Sequence, residues 1–321
     1  MTKIVVTGSA GFIGSHLSEK LIQEGNQVIG IDNFDPFYDK AIKQRNLKNL
    51  LPQNKFEFQE IDLTNFEQLS HALKGKNIDA IVHLAGKAGV RPSIEDPRGY
   101  INANIIATQN ILDIMKTECI KKLAFASSSS IYGNTKETPF HETQNVNNPI
   151  SPYAATKKSC ELINYTYHAL YDLDIVNMRF FTVFGPRQRP DLAIHKFTRL
   201  ILDGEPIPVF GDGSTSRDYT YYADTISGIT SILDYLFAHE KVYEIVNLGN
   251  NQPVKLYDMI AAIEAATGKN AKIKQLPMQP GDVDITYANI DKARQLFGYQ
   301  PKYSFKQGIR NFVDWYREIH R

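Results

Sequence analysis

Residues Lys3–Leu17 read "KIVVTGSAGFIGSHL". Four apolar or β-branched residues run into a glycine, and an apolar pattern of helical spacing begins at Phe12. The spacing predicts a strand over Lys3–Gly8 and a helix over Phe12–Glu24. Gly8, Gly11 and Gly14 stand on the turn between them as G-x-x-G-x-x-G. A turn that tight needs a residue tolerant of unusual φ, and bare backbone at a helix N-terminus admits a phosphate group. Strand before and helix after turn a weak three-glycine match into a dinucleotide-binding expectation. The first helical residues, Phe12 and Ile13, join the glycines in that cradle.

Outward from this unit the same alternation repeats. "QVIGID" (Gln27–Asp32), "FEFQEID" (Phe56–Asp62), "DAIVHLAG" (Asp79–Gly86), "KLAFASS" (Lys122–Ser128) and "VNMRFFTVFG" (Val176–Gly185) are expected strands. Asn65–Leu73, Tyr100–Lys116 and Tyr153–Tyr171 are expected helices. Nearly continuous apolar strands are covered on both faces, so the pattern predicts an α/β chain with a doubly wound, parallel Rossmann sheet. After Gly185, "GPRQRPD" (Gly185–Asp191) and "GEPIPVFGDGSTSRD" (Gly204–Asp218) are rich in proline, glycine and charge and read as loops. Helices are expected over Leu192–Leu202, Ala223–Phe237, Leu256–Thr267 and Phe305–Ile319. The division is therefore a Rossmann domain over 1–184, with a returning segment at about 219–248. A smaller, interleaved α/β substrate-binding lobe takes 185–218 and 249–321.

Composition narrows the partners. The 321 residues carry 36 Lys+Arg against 35 Asp+Glu, a net charge of +1, which argues against nucleic acid or a charged membrane surface as partner. Cys119 and Cys160 form no C-x-x-C pair, so no metal site is expected. No apolar run approaches the ~20 residues needed to span a bilayer, and a cytoplasmic location follows as the default. Asp32 ends the second strand 18 residues after Gly14. A carboxylate there binds both ribose hydroxyls of NAD and repels the 2′-phosphate of NADP. Asp62 ends the third strand and is expected near the adenine. Asn33, Leu63 and Leu84, beside strand ends, complete that half of the cofactor site.

"SPYAATKKS" places Tyr153 and Lys157 four apart at a helix start, on one face. An ammonium beside a phenol stabilises the phenolate, which makes Tyr153 a general base for an alcohol proton. The combination of "TGSAGFIG", "HLAG", "SSSSIYG", "SPYAATK", "RFFTVFGP", "GDGSTSRDY" and "QPGDV" resembles the extended short-chain dehydrogenase/reductase superfamily, particularly its NAD-dependent nucleotide-sugar epimerases and dehydratases. The resemblance covers essentially the whole chain. It implies a Ser128–Tyr153–Lys157 triad, with Lys157 also on the nicotinamide ribose, and it places Ala85, Lys87, Asn104 and Ser127 around the cofactor. It also implies a homodimer that pairs Tyr100–Lys116 and Tyr153–Tyr171.

Dehydratases of this superfamily have an Asp and a Glu where this chain has Ser129 and Ser130. Elimination requires an acid and base pair, which hydroxyls at their ordinary pKa do not supply. What remains is oxidation at C4 and return of the hydride to the opposite face, a 4-epimerisation. "MRFFTVFGPRQRPDLAIHKF" (Met178–Phe197) is similar to bacterial UDP-glucuronate 4-epimerases. That similarity implies a clamp of Thr182 and Arg189, with Ser129 and Ser130, on the uronate carboxylate. A guanidinium grips a carboxylate bidentately. Once C4 is a ketone the carboxylate is β to it, so an epimerase must keep the acid from losing CO₂. By the same resemblance Lys87 and Arg91 lie near the sugar, Phe197 stacks on uracil, Val209 belongs to a backbone edge that bonds it, and Arg217 binds the diphosphate. Gln279 stands where hexose epimerases often carry Arg. The alternatives are a 4-epimerase of a neutral UDP-hexose or UDP-N-acetylhexosamine, and a catalytically silent NAD-binding protein.

Overall fold

The computed structural model describes residues 2–277 and 283–320. Its elements run β1 (Lys3–Thr7), α1 (Phe12–Gln23), β2 (Gln27–Asp32), α2 (Lys40–Leu47), β3 (Phe56–Glu60), α3 (Phe66–Leu73), β4 (Ala80–His83), α4 (Val90–Glu95) and α5 (Pro97–Tyr100). A π-helical turn, Ile101–Ile106, leads into α6 (Ala107–Thr117), followed by β5 (Lys122–Ser128), a 3₁₀ turn (Ser129–Tyr132), α7 (Pro152–Tyr171), β6 (Asp174–Phe180) and β7 (Thr182–Phe184). The remainder is α8 (Ala193–Asp203), β8 (Pro206–Phe210), β9 (Ser216–Tyr221), α9 (Tyr222–Ala238), β10 (Tyr243–Leu248), β11 (Pro253–Lys255), α10 (Leu256–Thr267), β12 (Lys272–Leu276), α11 (Asp291–Phe297) and α12 (Phe305–Ile319).

Seven parallel strands in the order β10-β6-β5-β4-β1-β2-β3 make the main sheet. This is the doubly wound Rossmann sheet that the alternation predicts. Along β1 the pleat sends Ile4 and Val6 into one core with Leu17, Leu21 and Ile229, and sends Val5 into the opposite core with Ile31, Ile111 and Phe125. Each fully buried aliphatic side chain contributes roughly 1.5–3 kcal/mol, so both faces must stay covered. β10 and α9 come from late in the chain yet extend this sheet and cover it, β10 pairing with β6 from Tyr243↔Ile175 to Leu248↔Phe180.

Two expectations fail here. The single strand over Val176–Gly185 is two strands in different sheets, because the chain steps at Phe181 from β6 to β7, which pairs with β9. The Phe181 N–H is satisfied across that step by the Leu248 carbonyl at 3.1 Å. "GEPIPVFGDGSTSRD" is not all loop. Ile207 and Val209 point inward and are fully buried, so the segment holds β8, which pairs with β12, and the start of β9. Proline suits β8 because a two-stranded sheet leaves each strand an edge on which a missing N–H breaks no ladder. A third core of Ile194, Phe197, Val209, Tyr219, Ile263 and Phe312 fills this second lobe.

Candidate active site

A cavity of about 660 Å³ lies along the carboxyl ends of the parallel strands, where open α/β sheets bind ligands. One end is built from backbone. Gly8 has φ +71°, and a Cβ there would stand 3.0 Å from the Ala85 nitrogen. A Cβ on Gly14 would stand 2.1 Å from the Gly8 carbonyl oxygen. α1 has no side-chain cap and no acidic residue in its first turn, so its leading N–H groups, at Phe12, Ile13 and Gly14, are left for a ligand on the cavity wall. These features fit a dinucleotide pyrophosphate.

Asp32 follows at the end of β2. Its carboxylate accepts from the Ala10 N–H at 3.2 Å and the Phe34 N–H at 2.8 Å, with Lys43 Nζ at 3.9 Å. Burial pushes its pKa up, and Lys43 and those two N–H groups oppose the rise. Asp62 accepts from Thr64 and from the Asn33 amide at 3.0 Å. Asp32, Asn33, Asp62, Leu63, Leu84 and Ala85 all line the cavity, as an adenosine and ribose site requires.

The other end forms where β5 runs out beneath α7. Ser151 caps α7 by accepting from the Ala154 N–H at 3.1 Å, and Pro152 occupies the first turn, where its missing N–H breaks no bond. This start sets Tyr153 on the cavity wall, with Ser128 hydrogen-bonded to its phenol. Burial pushes the Tyr153 pKa up, while the Ser128 hydrogen bond and the charge of Arg189 pull it down. Lys157 lines the same wall. Its Nζ donates to the Ala126 carbonyl at 2.9 Å and lies over the Phe125 ring, where burial lowers its pKa. The i,i+4 spacing puts both residues on one wall, where the charge of Arg189 also acts on the phenol.

The four serines divide. Ser127 Oγ donates to Glu161 at 2.7 Å, and Arg179 holds the same carboxylate through Nε and Nη2, both at 2.9 Å. This ion pair is sealed beneath the floor. Ser128 Oγ also accepts from the Ser130 N–H at 3.1 Å and so starts the 3₁₀ turn. Ser129 and Ser130 are half-exposed on the wall with Thr182. Nothing in the sequence flagged Glu161 or Arg179, although a charge inside an apolar strand such as "VNMRFF" demands a partner.

Arg189 lies on the wall, but its grip is already used. Nε and Nη2 donate to the two carboxylate oxygens of Asp191 at 3.0 and 2.9 Å, Nη1 donates to the Ala88 carbonyl at 3.2 Å, and the guanidinium lies 4.9 Å from the Phe37 ring centre. A ligand carboxylate meets whatever edge remains. Arg187 turns away and pairs with Glu19 and Ser15 of α1.

Other expected ligands lie off this wall. Asn104 is fully buried, and its amide is consumed by the Lys87 backbone at 2.8 and 3.1 Å and by Thr156 at 2.9 Å. It shapes the loop at Gly86 and Lys87, which do line the cavity. Phe197 and Val209 are packed in the third core, so neither the stacking face nor the edge expected of them opens on this cavity. Arg91 lies over the Phe210 ring at 5.2 Å, and Arg217 donates to the Ser216 and Asp284 carbonyls. Gln279 lies outside the described residues. Among the described residues no group of three or more His, Cys, Asp or Glu could hold a metal ion, and no helix is long and apolar enough to cross a membrane.

Comparison with known proteins adds the following. The GDP-mannose 4,6 dehydratase family profile matches residues 5–312. The chain is 44% identical over 315 residues to a UDP-glucuronate 4-epimerase of Thermodesulfobacterium geofontis, covering 98% of this chain and 96% of that one. Its structure superposes with a TM-score of 0.93 on UDP-glucuronic acid 4-epimerase from Bacillus cereus, solved with UDP-glucuronic acid and NAD, at 36% identity over 99% and 100% of the two chains. A UDP-N-acetylglucosamine 4-epimerase from Methanobrevibacter ruminantium superposes at TM-score 0.90 and 32% identity, over 99% of each chain.

Proposed function

The chain belongs to the GDP-mannose 4,6 dehydratase family, and from that premise we infer that it is an NAD-dependent UDP-glucuronate 4-epimerase, interconverting UDP-glucuronate and UDP-galacturonate. A fold shared with neutral-sugar epimerases does not choose the sugar. The observation that carries the reading is the make-up of one wall. Tyr153, Ser128, Ser129, Ser130, Thr182 and Arg189 line one cavity with the glycine cradle, and the carboxylates on that wall, Asp32, Asp35 and Asp62, all stand at the adenosine end. Hydroxyls and the cations Arg189 and Lys87 face the sugar, with no acid and base pair for elimination.

Bound NAD supplies the acceptor, and then the donor, of the C4 hydride. Tyr153 Oη takes the proton of the C4 hydroxyl and later returns it to the same oxygen. Ser128, bonded to that phenol, steadies the reacting oxygen and favours the phenolate. Lys157, buried on the same wall, completes the ribose side. Lys87 joins cofactor to sugar, and Arg91 and Arg217 serve the nucleotide diphosphate from the second lobe, with Phe197 and Val209 supporting the uracil side from its core. Asn104 shapes the loop beneath the nicotinamide. The Rossmann domain, 1–184 with 219–248, carries the cofactor, and the remainder carries the UDP-sugar. Exposed Ile101, Ile106, Leu162, Tyr165 and Leu170 offer the apolar face of a homodimer. A cytoplasmic location belongs to the same reading, since sugar nucleotides and NAD are metabolites of that compartment.

The test is direct. Purified protein incubated with UDP-glucuronate and no added NAD should yield both C4 epimers, with slower turnover of UDP-glucose. Turnover of the neutral sugar alone would transfer the assignment to the hexose epimerases.

A further inference from the structure

The segment Asn33–Asp39, "NFDPFYD", follows the ribose-binding end of β2 and has no evident role in the cofactor site beyond its first residue. It is stiff for a loop. Asn33 Oδ1 accepts from the Asp35 N–H at 2.9 Å, Asp35 Oδ1 from the Phe37 N–H at 2.9 Å, and Asp39 Oδ1 from the Ala41 N–H at 2.8 Å. Lys43 Nζ adds a bond to the Asp35 carbonyl at 2.9 Å. The result places the Phe37 ring against Arg189, both on the cavity wall.

Arg189 needs such a support. It stands in the stretch 185–192, which has no regular structure, and a free arginine on a loop is a poor reader of chemistry because its rotamers must be ordered on each binding event. Here its plane is set by Phe37, one edge by both oxygens of Asp191, and Nη1 by the Ala88 carbonyl. Of its five N–H groups three are used, which leaves one on each terminal nitrogen. Those two are the donors left for a ligand. A carboxylate can accept from both, whereas the single hydroxyl of a neutral hexose meets one and leaves a polar group unpaired. Asp191 also compensates the cation while no acid is present, which removes the penalty of a desolvated, unpaired charge.

We propose that Phe37 and Asp191 are positioning residues that aim Arg189, and that together they set the preference for an acidic sugar over a neutral one. The proposal rests on the reading of Arg189 as the group that meets the sugar carboxylate. It assigns a purpose to a loop whose other end serves the cofactor, so one rigid turn aligns both halves of the cavity.

The experiment compares kcat/KM for UDP-glucuronate with kcat/KM for UDP-glucose in the holoenzyme and in F37L, F37Y, D191N and R189L, together with bound NAD and the fraction of decarboxylated UDP-4-keto-pentose. F37L and D191N should each lower the acid-to-neutral ratio about tenfold, the size of one charge-assisted hydrogen bond, and raise the decarboxylated fraction while NAD stays bound. F37Y, which keeps the aromatic face, should restore both. An unchanged ratio in F37L with a collapsed ratio in R189L overturns the proposal and leaves the reading of Arg189 standing. An unchanged ratio in R189L overturns that reading itself. A loss in F37Y equal to that in F37L overturns the role of the ring. If F37L does not fold, D191N decides alone, and an unchanged ratio there overturns the proposal.

Discussion

The two ends of the cavity are built from different materials. At the end we propose for adenosine and pyrophosphate the groups that matter are mostly backbone, namely the bare turn at Gly8–Gly14, the uncapped start of α1, and one carboxylate fixed by two N–H groups. At the end we propose for the sugar they are side chains held by other side chains: Arg189 by Asp191 and Phe37, Ser127 by Glu161, Glu161 by Arg179. Backbone sites are rigid and intolerant. Side-chain sites are adjustable, and one fold changes sugars by altering them. The sharpest way to break this contrast is Gly14→Ala. Its methyl would stand 2.1 Å from the Gly8 carbonyl oxygen, so the turn must open. Stability in urea should fall by about 3 kcal/mol or more, and the purified protein should lose its bound NAD. Arg189→Leu, at the other end, should stay within about 1 kcal/mol of the parent and keep NAD. Equal losses in both variants would erase the distinction.

The same contrast explains what could be read from the chain. A glycine turn writes itself into the sequence because no other residue fits it, so the cradle was legible in Lys3–Leu17, and the fold in the strand–helix alternation that follows it. The placement of Tyr153 was legible from the helix start in "SPYAATKKS", and that of Ser128 from the resemblance carried by "SSSSIYG". The aim of Lys157 was not, since spacing along a helix fixes the face but not which carbonyl a four-carbon chain reaches. Nor was the engagement of Arg189, because its partners come from residues 37, 88 and 191 and meet only in three dimensions. β8 and the start of β9 escaped for a related reason. Short strands in a small lobe bury few residues each, and their turns and prolines outweigh the alternation of Ile207 and Val209.

A smaller effect sharpens the picture of the reactive end. Ser128→Ala removes a hydrogen bond that lowers the Tyr153 pKa, while burial, which raises it, remains. The phenol then ionises at higher pH. The expected outcome is a kcat/KM reduced about 100-fold at neutral pH, with the rising limb of the pH profile displaced to the alkaline side and activity partly recovered there. Stability should change little. A uniform loss at every pH, with the limb unmoved, would mean that Ser128 orients the sugar but does not tune the phenol.

The smallest effect concerns the seam between the two ends. His16, on the cradle helix α1, bonds the Pro186 carbonyl through Nε2 at 3.0 Å and stacks on Tyr222 at 3.9 Å, while Arg187 beside it pairs with Glu19. Burial and the Arg187 charge lower its pKa from 6.5 to about 3, so the ring is neutral in the folded state at ordinary pH. The sign follows from linkage. Between pH 6.5 and about 3 the unfolded chain binds a proton that the folded one refuses, so the stability from this residue is complete above 6.5 and is lost as pH falls. The slope is at most about 1.4 kcal/mol per pH unit for each such histidine. His83, between Thr7 and Thr108, is lowered to about 3 and His195 to about 4, so they act in the same direction. His16→Phe keeps a ring against Tyr222 and removes one proton from this count. Urea denaturation at a series of pH values should therefore show a shallower acid slope, by up to one proton, and a modest loss at neutral pH from the missing bond to Pro186. Should the slope stay as steep as in the parent, the seam is not where acid first opens the molecule, and the burden shifts to His83 beneath the cofactor end or His195 in the second lobe.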